Sequence, residues 1–428
     1  MTIDHRIIKY RILPVTVSIV IQTIIGLFLG HIYDMEIFFT AGHAVSHGIQ
    51  PYGLFATRTI FGNPAFFEEL PGIGYPPPWA IYLGLIYKTI YETTRSIFIY
   101  NLAIKIPSII ANIALAFVVE RIAVQQGLDD KKSLKIFYFF LFNPFMIYIS
   151  AAWGQFDSLV ILVTVLALND LHYGRIIRSS FLTALSVSLK ILPLILAPMI
   201  LIFLWRNCDL KTCLRFTISS SGFFLISSYL PFVLLGWDLG IIMNNLGFHF
   251  NRAGCFTLFN IIELLYDSTN LPQGLEFPGY LWVPALILTY SMLSRTRLND
   301  RMSLFRWASA LFFILMLTRS WVSEQNIIFL IPLVVLESVV DSRKWFTVNL
   351  VWTIAFMFSV INTSPFQMFF LLSTVPIEMM KQFDLAYRIP RLILKFLVVI
   401  PWEILGLRHV WKATSITGKY SRVHVKLR

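Results

Sequence analysis

Apolar residues in this chain fall in long unbroken runs rather than in alternation. The stretches 12–31, 97–119 and 212–235 each approach the roughly 20 residues that carry a helix across a bilayer. A membrane barrel would instead show segments of about ten residues with alternating polarity. Short polar connections separate the runs, and many are basic: Lys131, Lys132 and Lys135; Arg175 and Arg178; Arg206, Lys211 and Arg215; Arg295, Arg297, Arg301 and Arg306. Such connections mark the cytosolic side. The pattern predicts an all-α polytopic membrane protein of about 11–13 transmembrane helices, with 1–428 as a single membrane domain.

Lys9 and Arg11, with Arg6, precede the first run, which places the N-terminus in the cytosol. No small-residue cleavage site follows, so this run reads as a transmembrane helix and not a signal peptide. The next apolar run, about 78–91, is broken by Lys88 and followed by Glu92. It is too short to span. Lying in the interface, it makes 34–95 one long first external loop carrying interfacial helices, far longer than an ordinary connection. The later signs then agree. The segment 180–205 splits near Lys190 and Pro193, a second external loop covers 236–278, and 409–428 forms a basic cytosolic tail.

Composition narrows the class. The chain is 57% hydrophobic and 14% charged, against about 25% charged in soluble proteins. The net charge of +12 would suggest nucleic acid in a soluble chain. Here the basic residues sit in loops and form no stripe, so no nucleic-acid partner is expected. Three cysteines make neither a disulfide framework nor a metal-ligand pattern.

Polar clusters converge on the predicted outer face. Asp34 and Glu36 follow the first helix. Asp34 reads either as an acidic cap on an interfacial helix or as a general base for a hydroxyl. His43 and His47 share a helical face, but nothing completes a zinc ligand set. Pro76, Pro77 and Pro78 lead Tyr75 and Trp79 into a short interfacial helix. Trp153, Gln155 and Asp157 combine an aromatic face with an amide and a carboxylate, as a sugar site does; Asp157 would equally serve as a helix cap. Lys190 lies among apolar residues, where a lysine marks function or snorkels to the interface. It and Arg252 are the candidates for holding a lipid phosphate. Glu324 lies near Arg319 and pairs with it on the bland reading.

These residues resemble the GT-C superfamily of multi-spanning glycosyltransferases. The likeness is to the asparagine-linked-glycosylation glucosyltransferases and the GPI-anchor second mannosyltransferase, with their prokaryotic relatives. It rests on Asp34 and Glu36 after the first helix, Tyr75-Pro76-Pro77, Lys105 to Asn112, and the stretch from Asn143-Pro144 through Trp153-Gly154-Gln155-Phe156-Asp157-Ser158. Lys190 with Pro193 follows in order. Ser323-Glu324-Gln325 stands where the family has a His-Glu-Lys element and lacks its His and Lys. The resemblance implies a GT-C-like bundle and an inverting enzyme. It would move a hexose, mannose or glucose, from a polyprenyl- or dolichyl-phosphate sugar to a glycolipid or glycan acceptor on the outer or luminal face. Asp34 would be the general base. Glu36, Tyr75, Trp153, Gln155, Asp157, Lys190, Arg252 and Glu324 would bind substrate. No cofactor is expected and no metal is favoured.

The rival class is a multi-pass transporter of a lipid-linked or small polar substrate. Its mark is paired broken helices in matching halves, and the break near Lys190 has no counterpart. A membrane scaffold using the same acids as caps is the second rival. The chain's setting is expected to be a prokaryotic plasma membrane first and the endoplasmic reticulum second.

Overall fold

A computed structural model describes residues 8–56, 69–248, 251–266, 268–274, 276–296, 298, 300–372 and 377–415. Parts of the 34–95 and 236–278 segments, and most of the 409–428 tail, lie outside the described residues. What is described is almost wholly helical. Two short pairings are the exceptions: Leu54–Ala56 runs antiparallel to Glu69–Pro71, and Gly254–Cys255 runs parallel to Trp321–Val322. Among the described residues six helices are long and apolar enough to cross a membrane: Tyr10–Phe28, Ile97–Gln125, Asp130–Trp153, Leu210–Leu235, Arg301–Thr318 and Lys344–Asn362. The chain is a polytopic membrane protein. Several other predicted spans are shorter helices, Ile176–Leu189 and Leu192–Asn207 among them.

The chain divides into two compact units. The first comprises Met1–Gly74, Pro78–Leu162 and Thr363–Leu385; the second comprises Tyr75–Pro77, Val163–Asn362 and Ala386–Arg428.

In the first unit the helix Ile97–Gln125 is the central pillar. Ser96 starts it, its hydroxyl accepting from the Ile99 N–H at 3.4 Å. It packs against Leu13–Phe28 on one side and Asp130–Phe142 on another. Buried polar groups cross-link Leu13–Phe28 to both of its neighbours. Ser18 donates to the Leu141 carbonyl at 2.7 Å, and the Gln22 amide donates to Ser18 at 2.9 Å. Asn112 donates to Gln22 Oε1 at 2.9 Å and also to Ser150 Oγ. Apolar surroundings favour such bonds, each contributing roughly 1 kcal/mol between membrane helices. Asn143 then breaks the chain. It is extended, ends Asp130–Phe142, and caps the next turn by accepting from Met146 N–H at 3.0 Å. A π-helical turn, Tyr148–Trp153, follows and stops at Gly154.

The second unit opens with the break anticipated at Lys190. Ile176–Leu189 ends there with Lys190 extended, and Pro193 begins a tighter 3-10 turn, Leu192–Leu196, that feeds Ala197–Asn207. Arg301–Thr318 starts at a reciprocal cap between Asp300 and Ser303. Trp402, fully buried, lies 4.9 Å from the Phe256 ring and 5.4 Å from Phe313. Leu214, Ile218, Val233 and Leu234 on Leu210–Leu235 are exposed, which suits a helix facing lipid.

The Asn112 network yields a stability test. Asn112→Leu leaves the buried Gln22 carbonyl without its donor, at a cost of about 1–3 kcal/mol. The purified protein should melt lower in detergent. Ile110→Leu, at an exposed position of the same helix, should shift stability by less than about 0.5 kcal/mol.

Candidate functional site

The first unit holds the acidic site. Asp34 is the third residue of the helix Ile32–Ser46, whose N-cap is His31. The His31 Nδ1 accepts the Asp34 backbone N–H at 3.5 Å, so the bland reading of Asp34 as the cap is corrected: the histidine caps, and the aspartate side chain is left for other partners. Its carboxylate accepts a hydrogen bond from the Trp153 indole N–H and lies 3.6 Å from His31 Nδ1. The two rings that touch it are stacked on each other, 4.1 Å apart and 9° from parallel. The His31 N–H also bonds the Trp153 carbonyl at 3.0 Å. The Asp34 side chain remains 19% exposed. It is therefore oriented without being sealed off, as a proton acceptor must be.

Gly154 makes this geometry possible. Its φ of +104° is in the left-handed region, where glycine alone is at ease. A Cβ there would stand 2.5 Å from Met35 Sδ and 2.9 Å from Lys105 Cε, and both side chains are fully buried. Lys105 in turn donates to the carbonyls of Leu29, Gly26 and Ala152, the last two at 3.3 Å. The amide of Asn101 reaches Gly26, Leu27 and Leu29 at 2.8, 3.2 and 2.9 Å. One buried amine thus ties the end of the first helix to the turn before Trp153, and one buried amide holds the helix end.

Gln155 and Asp157 are fully buried, with Asp157 at the first position of Asp157–His172. Phe156 between them stacks on Trp79 at 4.0 Å. Glu36, half-buried, is two residues beyond Asp34 on a helix, a spacing that turns the two carboxylates away from each other. Among the described residues no three His, Cys, Asp or Glu side chains gather as a metal site.

The second unit brings together Tyr75 and Lys190. The Lys190 amine is 5.7 Å from the Tyr75 ring centre and 5.9 Å from that of Phe329, a cation held over aromatic faces. Arg252 lies over Trp321 at 4.1 Å. The pairing of Glu324 with Arg319 does not form. Glu324 is buried and accepts from the Cys255 thiol at 3.0 Å and the Asn362 amide at 2.9 Å. The reason is local: the parallel pairing of Cys255 with Val322 sets that thiol against the acid. Burial, then the Glu324 charge, push the thiol's pKa well up, so it stays a donor.

Sequence reasoning missed His31, Asn101 and Lys105 as the supports of Asp34. Lys105 carried the same signal as Lys190, a lysine inside an apolar run. His31 and Asn101 carried none.

Comparison with known proteins adds a family. The family model described as GPI transamidase subunit PIG-U matches residues 45–264. GPI mannosyltransferase 1 of Candida albicans is 27% identical over 193 residues, covering 40% of this chain and 47% of that protein. GPI mannosyltransferase 1 of Kluyveromyces lactis is 23% identical over 261 residues, covering 60% of this chain and 58% of that protein. The chain spans about half the length of the curated relatives it matches.

Two glycine substitutions separate the strain at Gly154 from its crowding. Gly174 also has positive φ, but a Cβ there meets nothing within 4 Å. Gly174→Ala should cost only the backbone term, about 1 kcal/mol. Gly154→Ala should lower the melting temperature by clearly more, adding roughly 1–3 kcal/mol of overpacking. Equal losses would mean the crowding is relieved without cost.

Proposed function

We propose, from the premise that this chain belongs to the PIG-U family, that it is a membrane hexosyltransferase of the GPI-anchor type. It takes mannose or glucose from a polyprenyl- or dolichyl-phosphate sugar and places it on a glycolipid or glycan acceptor at the outer or luminal face. The acceptor hydroxyl gives its proton to Asp34 while its oxygen bonds to the anomeric carbon. The bond from that carbon to the phosphate oxygen breaks, and the lipid phosphate leaves with the electron pair. In-line attack inverts the anomeric centre. A departing phosphate calls for a cation, a role assigned to Lys190 and Arg252. Glu36, Tyr75, Trp153, Gln155, Asp157 and Glu324 are proposed to shape or support substrate binding.

The single observation that carries this reading is the Asp34 carboxylate, oriented by the Trp153 indole and still partly open. A carboxylate kept only as a helix cap would not need that support, because His31 already caps. The names of the two yeast relatives, both mannosyltransferases, add weight. They also add weight to the endoplasmic reticulum over a prokaryotic plasma membrane.

A second reading has its own observation. The family is described as a transamidase subunit, and its match begins at residue 45, beyond Asp34. On that reading the chain is a non-catalytic membrane subunit that handles a lipid-linked glycan.

One assay separates the two. Purified full-length protein in detergent is given labelled polyprenyl-phosphate glucose or mannose, with a total lipid extract of its host as acceptor. The transferase reading expects label in a larger glycolipid, and a loss of at least about 100-fold in Asp34→Asn with unchanged melting. Transfer at the same rate in the variant would remove Asp34 as the base. No transfer from either donor would leave the subunit reading standing.

A further inference from the structure

Arg319 follows the helix Arg301–Thr318 as its C-cap residue and is half-buried. Its backbone N–H bonds the Leu315 carbonyl at 3.1 Å. Among the described residues its guanidinium has no ion pair, hydrogen bond or ring contact. The acid nearest in sequence, Glu324, is taken by Cys255 and Asn362. Burial lowers the guanidinium to about 10, a sign that its charge is poorly solvated. A cation at a helix C-terminus is ordinary and eases the helix dipole. That explains its place but leaves five donors unused.

A second cation is rooted beside it. Ser320, the next residue, donates its hydroxyl to the Arg252 carbonyl at 2.6 Å, and the Gly254 N–H bonds the Ser320 carbonyl at 3.0 Å. The segment after Arg319 is thereby stitched to the segment that carries Arg252. The Arg252 guanidinium is steadied over Trp321, a residue of the same pairing. Arg319 supplies what a phosphate needs, charge and forked donors; it has no counter-charge among the described residues, and its segment is stitched to the one that carries Arg252.

We propose that Arg319, assisted by Arg252, binds a phosphate monoester carried on a polyprenyl lipid. The lipid part rests on the transferase reading above; the anion site stands on Arg319 itself.

The test is a binding titration of the full-length protein in detergent, read by tryptophan fluorescence. The probes are a polyprenyl monophosphate, the matching polyprenol and inorganic phosphate. Wild type should bind the polyprenyl monophosphate at least about tenfold tighter than the polyprenol. Arg319→Gln should cut that preference at least about threefold by weakening only the phosphate form, with Lys190 and Arg252 holding the remainder, and Arg319→Lys should recover part of the loss. Melting without ligand guards against a folding artefact. Arg319→Met removes a poorly solvated, unpaired charge and should melt higher, whereas a structural role predicts that it melts lower. The proposal is overturned if Arg319→Gln keeps the wild-type preference for phosphate undiminished or if Arg319→Met is destabilised. Inorganic phosphate binding as tightly as the lipid form would overturn the lipid assignment. A preference reduced in Arg319→Gln, with no sugar transfer by wild type, would sink the transferase reading and leave the anion site intact. Transfer by wild type with the preference unchanged in Arg319→Gln would do the reverse.

Discussion

The first unit is organised by carbonyls that have nowhere else to go. A helix leaves its last carbonyls without intrahelical donors, and in a membrane protein water is scarce to replace them. Here the end of Leu13–Phe28 is met by Lys105 and Asn101 from the neighbouring helix. A buried amine suits that place, since a helix C-terminus carries partial negative charge. The same amine reaches the Ala152 carbonyl, so it ties the end of one helix to the turn that presents Trp153. From that tie follow the stacking of His31 on Trp153, the indole bond to Asp34 and the need for glycine at 154. The acidic site is a consequence of how one helix end is satisfied.

Much of the architecture was legible because its causes are local. Apolar runs of spanning length specify helices wherever they occur, and the break at Lys190 and Pro193 followed from a run too long for one span with a proline inside. Helix lengths were less legible. Extended turns such as Lys190, Asn143 and Arg319 shorten or divide apolar runs, and the runs themselves do not show where a turn will fall. The candidate residues in each unit were half legible. Asp34, Trp153 and Lys190 stand out as polar or aromatic groups at apolar boundaries. Their partners do not, because partnership is a long-range property. Nothing local in Cys255 says that it will donate to Glu324 across 69 positions, and so the expected bond between Glu324 and Arg319 failed.

The family match and the chemistry divide the site in an informative way. The matched stretch, 45–264, contains Asn101, Lys105, Trp153 and Gly154, the parts that hold Asp34. Asp34 and His31 precede it. A membrane scaffold of this kind can be kept for more than one purpose, since the supports satisfy backbone groups whether or not a base is present. Function is then decided by what stands on the scaffold. This chain keeps an oriented carboxylate at that point, and the transferase reading rests on it.

The most direct test of that reading is the stereochemistry of a single turnover. Purified protein would be given a polyprenyl-phosphate sugar of defined anomeric configuration, and the configuration of the new glycosidic bond would be read by NMR. A base that activates the acceptor for in-line attack predicts complete inversion with release of the polyprenyl phosphate. Retention of configuration would contradict the account, because in-line attack by a base-activated acceptor cannot leave the anomeric configuration unchanged.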